Sequence, residues 1–168
     1  MTTALRVLRL LTMVVWVGGL IFFAFVVAPV AFRVLPSKHE AGLVVGRSLG
    51  VLNSMGMVCS VLFVWATQDI RNTKKGSLSK LLTAEMRLAL LMMCATVYVR
   101  TNVPAMERDR IAVGGDIDAA PKDNPARLDF ERLHTRSEKV EGLVLLFGLG
   151  VVVLMGFEYR MNTCDSAL

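Results

Sequence analysis

The chain has 168 residues, 54% of them hydrophobic, and a net charge of +5. That length fits one domain and leaves no room for a separate soluble enzyme module. The positive charge does not point to nucleic acid: no basic stripe interleaves with aromatic residues, and Lys and Arg collect at the ends of apolar runs, where they set topology and meet anionic lipid.

The first apolar run, Leu10 to Phe32, holds 23 residues without a charge, and about 20 suffice to cross the roughly 30 Å hydrocarbon core of a bilayer. Arg6 and Arg9 precede it in the manner of a signal peptide. The run is longer than the 7–15 residues usual for a signal-peptide core, so it reads as a retained span. Three further runs follow, at about 42–67, 81–99 and 140–157. They are continuous rather than alternating, as helices are and barrel strands are not. In lipid a helix satisfies its own backbone groups. The expected fold is therefore all-α: one domain, 1–168, built as an antiparallel four-helix transmembrane bundle.

Loop 2, between the second and third runs, carries Arg71, Lys74, Lys75 and Lys80 against Asp69 alone. Together with Arg6 and Arg9 it predicts that both termini are cytoplasmic, by the positive-inside rule, in a bacterial inner membrane. Loop 3, residues 100–139, balances its basic and acidic residues and is expected to be partly helical. Asn124-Pro125 reads as an N-cap followed by proline at the first helical position. The third helix should run past Arg100 toward Ile111, bent near Pro104. The tip from Gly114-Gly115 to Asp123 is expected to be disordered.

Gly42, Gly46, Gly50 and Ser54 form a small-residue ladder on the second span. Such faces let helix backbones approach closely, so the ladder is expected to pack inside the bundle, with Gly18-Gly19 as its partner. A homo-oligomer or a membrane partner is the other occupant of such a face. Asn53 and Ser60 are expected to make interhelical hydrogen bonds. The intramembrane ionisable residues are Arg47, which snorkels or pairs with Glu141, and Glu85 and Arg87. The last two are two positions apart and so face different ways.

The two histidines, His39 and His134, both fall on the loop 1/loop 3 side. His134, Glu138 and Glu141 follow i, i+4, i+7 spacing, and His39 lies in the loop opposite. Imidazole and carboxylate suit several divalent metals, whereas ordinary solvated pairs have the same spacing. Haem or porphyrin is the third option, although no span contains a histidine. Cys59 and Cys94 sit at depths differing by roughly 7 Å at 1.5 Å per residue, which argues against a disulfide. No Gly-rich phosphate loop, Cys-x-x-Cys pair or nucleophile elbow is present. The expectation is a non-enzymatic protein with no cofactor identified, partnered by the lipid bilayer and not by nucleic acid.

Trp16-Val-Gly-Gly, Phe22-Phe23 and Ala28-Pro29-Val-Ala-Phe32, followed by Leu35-Pro36, Ala41-Gly42 and Arg47, resemble a known family in order and spacing. Phe130, Leu133, His134 and Ser137 resemble its second signature. This is the four-helix domain-of-unknown-function family to which transmembrane protein 205 belongs. Where relatives tend to carry Asn four positions after that serine, this chain has Glu141. The resemblance implies a four-helix membrane protein without established enzymatic activity. The animal member's association with tolerance to platinum drugs implies a part in metal or drug handling.

Overall fold

A computed structural model describes the backbone of residues 2–73 and 77–165 and the side chains of residues 3–72 and 79–161. Lys74, Lys75 and the side chain of Cys164 lie outside the described residues. Among the described residues there are four long helices: α1 (residues 2–34), α2 (Lys38–Thr73), α3 (Ser77–Ala112) and α4 (Pro125–Asp165). Each is long and apolar enough to cross a membrane, and the protein is an integral membrane protein of the all-α, four-helix type.

The helices outrun the bilayer. At 1.5 Å per residue the 36 residues of α3 extend about 54 Å, against a hydrocarbon core of about 30 Å. The surplus of α3 and α4 replaces most of loop 3, which shrinks to residues 113–124. Pro104 is accommodated within α3, which continues to Ala112.

α1 is not uniform. It widens into π-helical turns at Val14–Gly18 and Phe23–Val27. The second lies just ahead of Pro29, which has no N–H and whose ring crowds the carbonyl four residues back. A π-turn there absorbs the misfit without ending the helix.

Heptad-like stripes bury themselves. On α3 the buried positions are Leu82, Glu85, Ala89, Met92, Thr96 and Val99; on α4 they are Ser137, Val144, Gly148, Val151 and Glu158. These are the periods that keep one helix face turned to its neighbours. The apolar middle is sealed by Met13, Trp16, Val17 and Leu20 of α1, Phe63 of α2, Met92 of α3, and Val144 and Val151 of α4. Exposed apolar residues such as Phe25, Val61, Trp65 and Leu146 cover the outside, as a lipid-facing surface requires.

Close approach is bought by glycine at three positions. A Cβ at Gly56 would come within 2.8 Å of Trp16 Cδ1, one at Gly148 within 2.7 Å of Val17 Cγ2, and one at Gly19 within 2.7 Å of Leu52 Cδ1. The ladder glycines Gly42, Gly46 and Gly50 meet nothing within 4 Å. The ladder therefore does not pack inside this bundle, and Gly18-Gly19 is not its partner. The indole of Trp16 needs its bare backbone at Gly56, a position outside the ladder.

The tip of loop 3 is structured rather than disordered. α3 ends in a Schellman arrangement, with Gly115 N–H donating to Arg110 O (2.9 Å) and Gly114 N–H to Ile111 O (3.0 Å). Both glycines have positive φ, 83° and 100°. Arg127 Nη1 then donates to the carbonyls of Asp118 (3.2 Å) and Ala120 (2.6 Å), and Ile117 is buried beneath. α4 starts as expected: Ala126 N–H donates to Asn124 Oδ1 at 2.9 Å. Asn124→Ala should cost about 1 kcal/mol, read as a lower denaturation midpoint; an unchanged midpoint would show that the cap contributes nothing.

Candidate functional site

Two polar layers interrupt the apolar bundle, one near each end. The first lies at the end carrying the N terminus and is centred on Arg9. Leu5, Arg9, Thr12, Met13 and Trp16 form one buried stripe of α1, and Arg9 is only 1% exposed. Its Nη2 forms an ion pair with Glu85 of α3, and its Nη1 donates to Glu158 Oε2 of α4 at 2.8 Å. Its guanidinium also lies over the Phe63 ring of α2, 5.4 Å from the centroid. One cation thus touches all three other helices. Arg9 Nε and Glu85 Oε1 are buried without a hydrogen-bond partner.

The hydropathy runs leave Arg9 ahead of the first span and Glu158 just past the fourth, and they give Glu85 no partner. The available signal was spacing: Arg9 shares the α1 face of Leu5, Met13 and Trp16. Arg87 is exposed and turned away from buried Glu85, as the two-residue spacing requires.

The second layer lies toward the opposite end. Asn53 of α2 donates from Nδ2 to Glu141 Oε1 of α4 at 2.6 Å, which is the interhelical bond expected of Asn53. Ser60 instead donates to Met57 O within its own helix. Glu141 is not paired with Arg47, which is exposed on α2. Glu141 Oε2, Ser137 Oγ and Asn102 Nδ2 are all buried without partners. At the rim, Arg100 Nη1 donates to Ser54 Oγ at 2.6 Å.

The four residues considered for a metal are not gathered. His134 Nε2 is 3.2 Å from Glu138 Oε1, and both side chains are more than half exposed. His39 Nδ1 instead faces Asp116 at 3.8 Å. Glu141 is engaged with Asn53 inside the bundle. Among the described residues no group of three or more His, Cys, Asp or Glu is arranged to hold a metal ion. The helical register explains this: His134 and Glu138 lie on the outward side of α4, while Glu141 turns inward next to buried Ser137. A shallow groove of about 420 Å³ between the protruding ends of α3 and α4 is lined in part by Arg108, Asp109, Asp129 and Arg132. It includes none of the histidines. Cys59, buried, and Cys94, exposed, are both free thiols.

Because the ladder glycines meet no neighbour, Gly46→Ala and Gly50→Ala should change the stability of the isolated protein by no more than about 0.5 kcal/mol. A larger loss in detergent unfolding would mean that this face is packed after all.

No curated protein and no solved structure matches the chain. The sequence profile described as Domain of unknown function (DUF4149) matches residues 11–105, more than half of the chain, and the protein belongs to that family.

Proposed function

We propose that the protein is a non-enzymatic membrane factor that moves, or confers tolerance to, small ions or drugs. The observation that carries this reading is the Arg9–Glu85–Glu158 cluster, buried among three helices with polar atoms left over. Ionisable groups inside a membrane bundle are costly and characteristically serve ion paths or proton relays. The sealed apolar middle between two polar layers suits a protein that admits an ion from one end at a time. The resemblance to the family of transmembrane protein 205 points the same way. The basic N terminus and loop 2 favour cytoplasmic termini in a bacterial inner membrane.

The test is flux. Protein reconstituted in liposomes loaded with a pH-sensitive dye should dissipate an imposed proton or cation gradient, and Glu85→Gln should abolish that activity. A gradient that decays no faster than in empty liposomes removes the transport reading. Turnover of a substrate in a hydrolase or redox screen would overturn the non-enzymatic one.

The outward-facing ladder supports a second reading, an assembly partner in the membrane. Gly46 and Gly50 are exposed and unobstructed, as a helix–helix contact surface would be. Gly46→Cys protein should then crosslink in native membranes; a product absent at every oxidant level would remove this reading.

A further inference from the structure

We infer that the second polar layer is a binding site for one small monovalent cation, held by Glu141 and Ser137 of α4 with Asn53 of α2 and Asn102 of α3. Glu141 and Ser137 are one helical turn apart and so stand side by side on α4. Ser137 is 9% exposed, and neither its Oγ nor Glu141 Oε2 has a hydrogen-bond partner. A buried serine hydroxyl in a helix ordinarily turns back to a carbonyl of the preceding turn. Buried Thr12, Ser60 and Thr96 do so here; Ser137, like Thr67 elsewhere in the bundle, does not.

Asn102 reaches the same level from the neighbouring helix. The antiparallel register of α3 and α4 is fixed by Arg110 over the Phe130 ring and, deeper, by Leu88 against Gly150. That register sets Asn102 opposite Ser137. Asn53 is tied to the layer by its bond to Glu141. Three helices therefore bring a carboxylate, a hydroxyl and two amides to one depth. Two oxygens there, Glu141 Oε2 and Ser137 Oγ, are unsatisfied acceptors for a cation, and Asn102, whose unsatisfied atom is the donor Nδ2, would turn its Oδ1 to the ion.

The chemistry selects the ligand class. A buried polar atom without a partner costs on the order of 1–3 kcal/mol, and a buried lone carboxylate more. Among the described residues Glu141 has no ion pair, and Arg100 donates to Ser54 at the exposed rim. A single positive charge balances one carboxylate, and neutral oxygens complete its shell. A divalent ion of the calcium type takes 6–8 oxygens and usually several carboxylates, which this layer lacks. The site is separate from the Arg9 cluster, and cation binding here does not depend on the transport reading.

The experiment uses full-length protein in lipid nanodiscs, with unfolding followed by tryptophan fluorescence. Sodium, potassium or ammonium chloride replaces N-methylglucamine chloride at constant ionic strength. At least one small cation should raise the unfolding midpoint saturably. Glu141→Gln, which keeps an acceptor for Asn53, should abolish the dependence, and Ser137→Ala should weaken the apparent affinity about tenfold. A parent midpoint identical in all salts overturns the proposal, because Glu141 is then a neutral, protonated carboxyl. An unchanged response in Glu141→Gln overturns it too. Should that variant fail to fold, Ser137→Ala decides: unaltered affinity is fatal. A cation response without liposome flux removes the transport reading alone, and flux without a Glu141-dependent response removes this site alone.

Discussion

Arg9→Met is expected to destabilise the protein by about 3–5 kcal/mol, the largest loss of any single substitution considered, since it leaves buried carboxylates without the guanidinium that bonds them. Taking one partner out of a buried ion pair costs more than the pair ever contributed, because the remaining charge has neither water nor a counterion. The comparison with the double variant Arg9→Met/Glu85→Gln makes the result specific. Removing the Glu85 charge together with the guanidinium should recover a substantial part of the loss, giving a coupling energy of at least about 1 kcal/mol in a double-mutant cycle. Unfolding in detergent measures all three proteins. A loss below about 1 kcal/mol for Arg9→Met, or strict additivity, would mean that Arg9 is solvated rather than buried in the bundle.

Gly56→Ala is expected to cost about 1–3 kcal/mol, a large effect for one methyl group. The added Cβ would sit 2.8 Å from Trp16 Cδ1 and 3.0 Å from Cε2. The indole cannot step aside, since Trp16 is fully buried among Phe63, Met92 and Val144. Relief must come from moving α1 away from α2, which also loosens Gly19 against Leu52. The indole fluorescence of Trp16 should shift as its surroundings open. Gly46→Ala on the same helix serves as the control, because nothing lies within 4 Å of that position. Equal costs for the two substitutions would contradict the packing described here.

The two substitutions probe features that were legible in the sequence to different degrees. Arg9 could have been placed from its spacing, since positions 5, 9, 12, 13 and 16 trace one helical face. What hid it was the rule that a span begins after its last charge: a hydropathy run stops at Leu10, whereas the helix extends to residue 2 and carries Arg9 into the packed interior. Glu158 was hidden in the same way at the far end of α4. Gly56 had no comparable signal. It lies outside the regular glycine ladder, and only the position of Trp16 on another helix gives it a task.

The metal reading shows the limit of periodicity within one helix. His134, Glu138 and Glu141 do follow a shared-face spacing, yet His134 and Glu138 fall on the outer side of that face while Glu141 lies beside buried Ser137. The histidine and first carboxylate stand exposed while Glu141 turns to Asn53. A spacing rule places side chains relative to one helix and says nothing of which edge of that face meets the neighbouring helix.

The sequence by itself determined that there are four membrane helices, the N-cap at Asn124 and the opposed directions of Glu85 and Arg87. These depend on local quantities: the transfer of 20 or so apolar residues into lipid, the dihedral limits of proline, and 100° of rotation per residue. Only the tertiary structure decided that Arg9 joins Glu85 and Glu158, that Glu141 meets Asn53 rather than Arg47, and that Gly56, not the ladder, receives a neighbouring helix. Lipid tails are as apolar as the side chains of the bundle, so hydrophobicity inserts helices without choosing their partners. That choice falls to close packing and to the few buried polar groups that must find one another across helices.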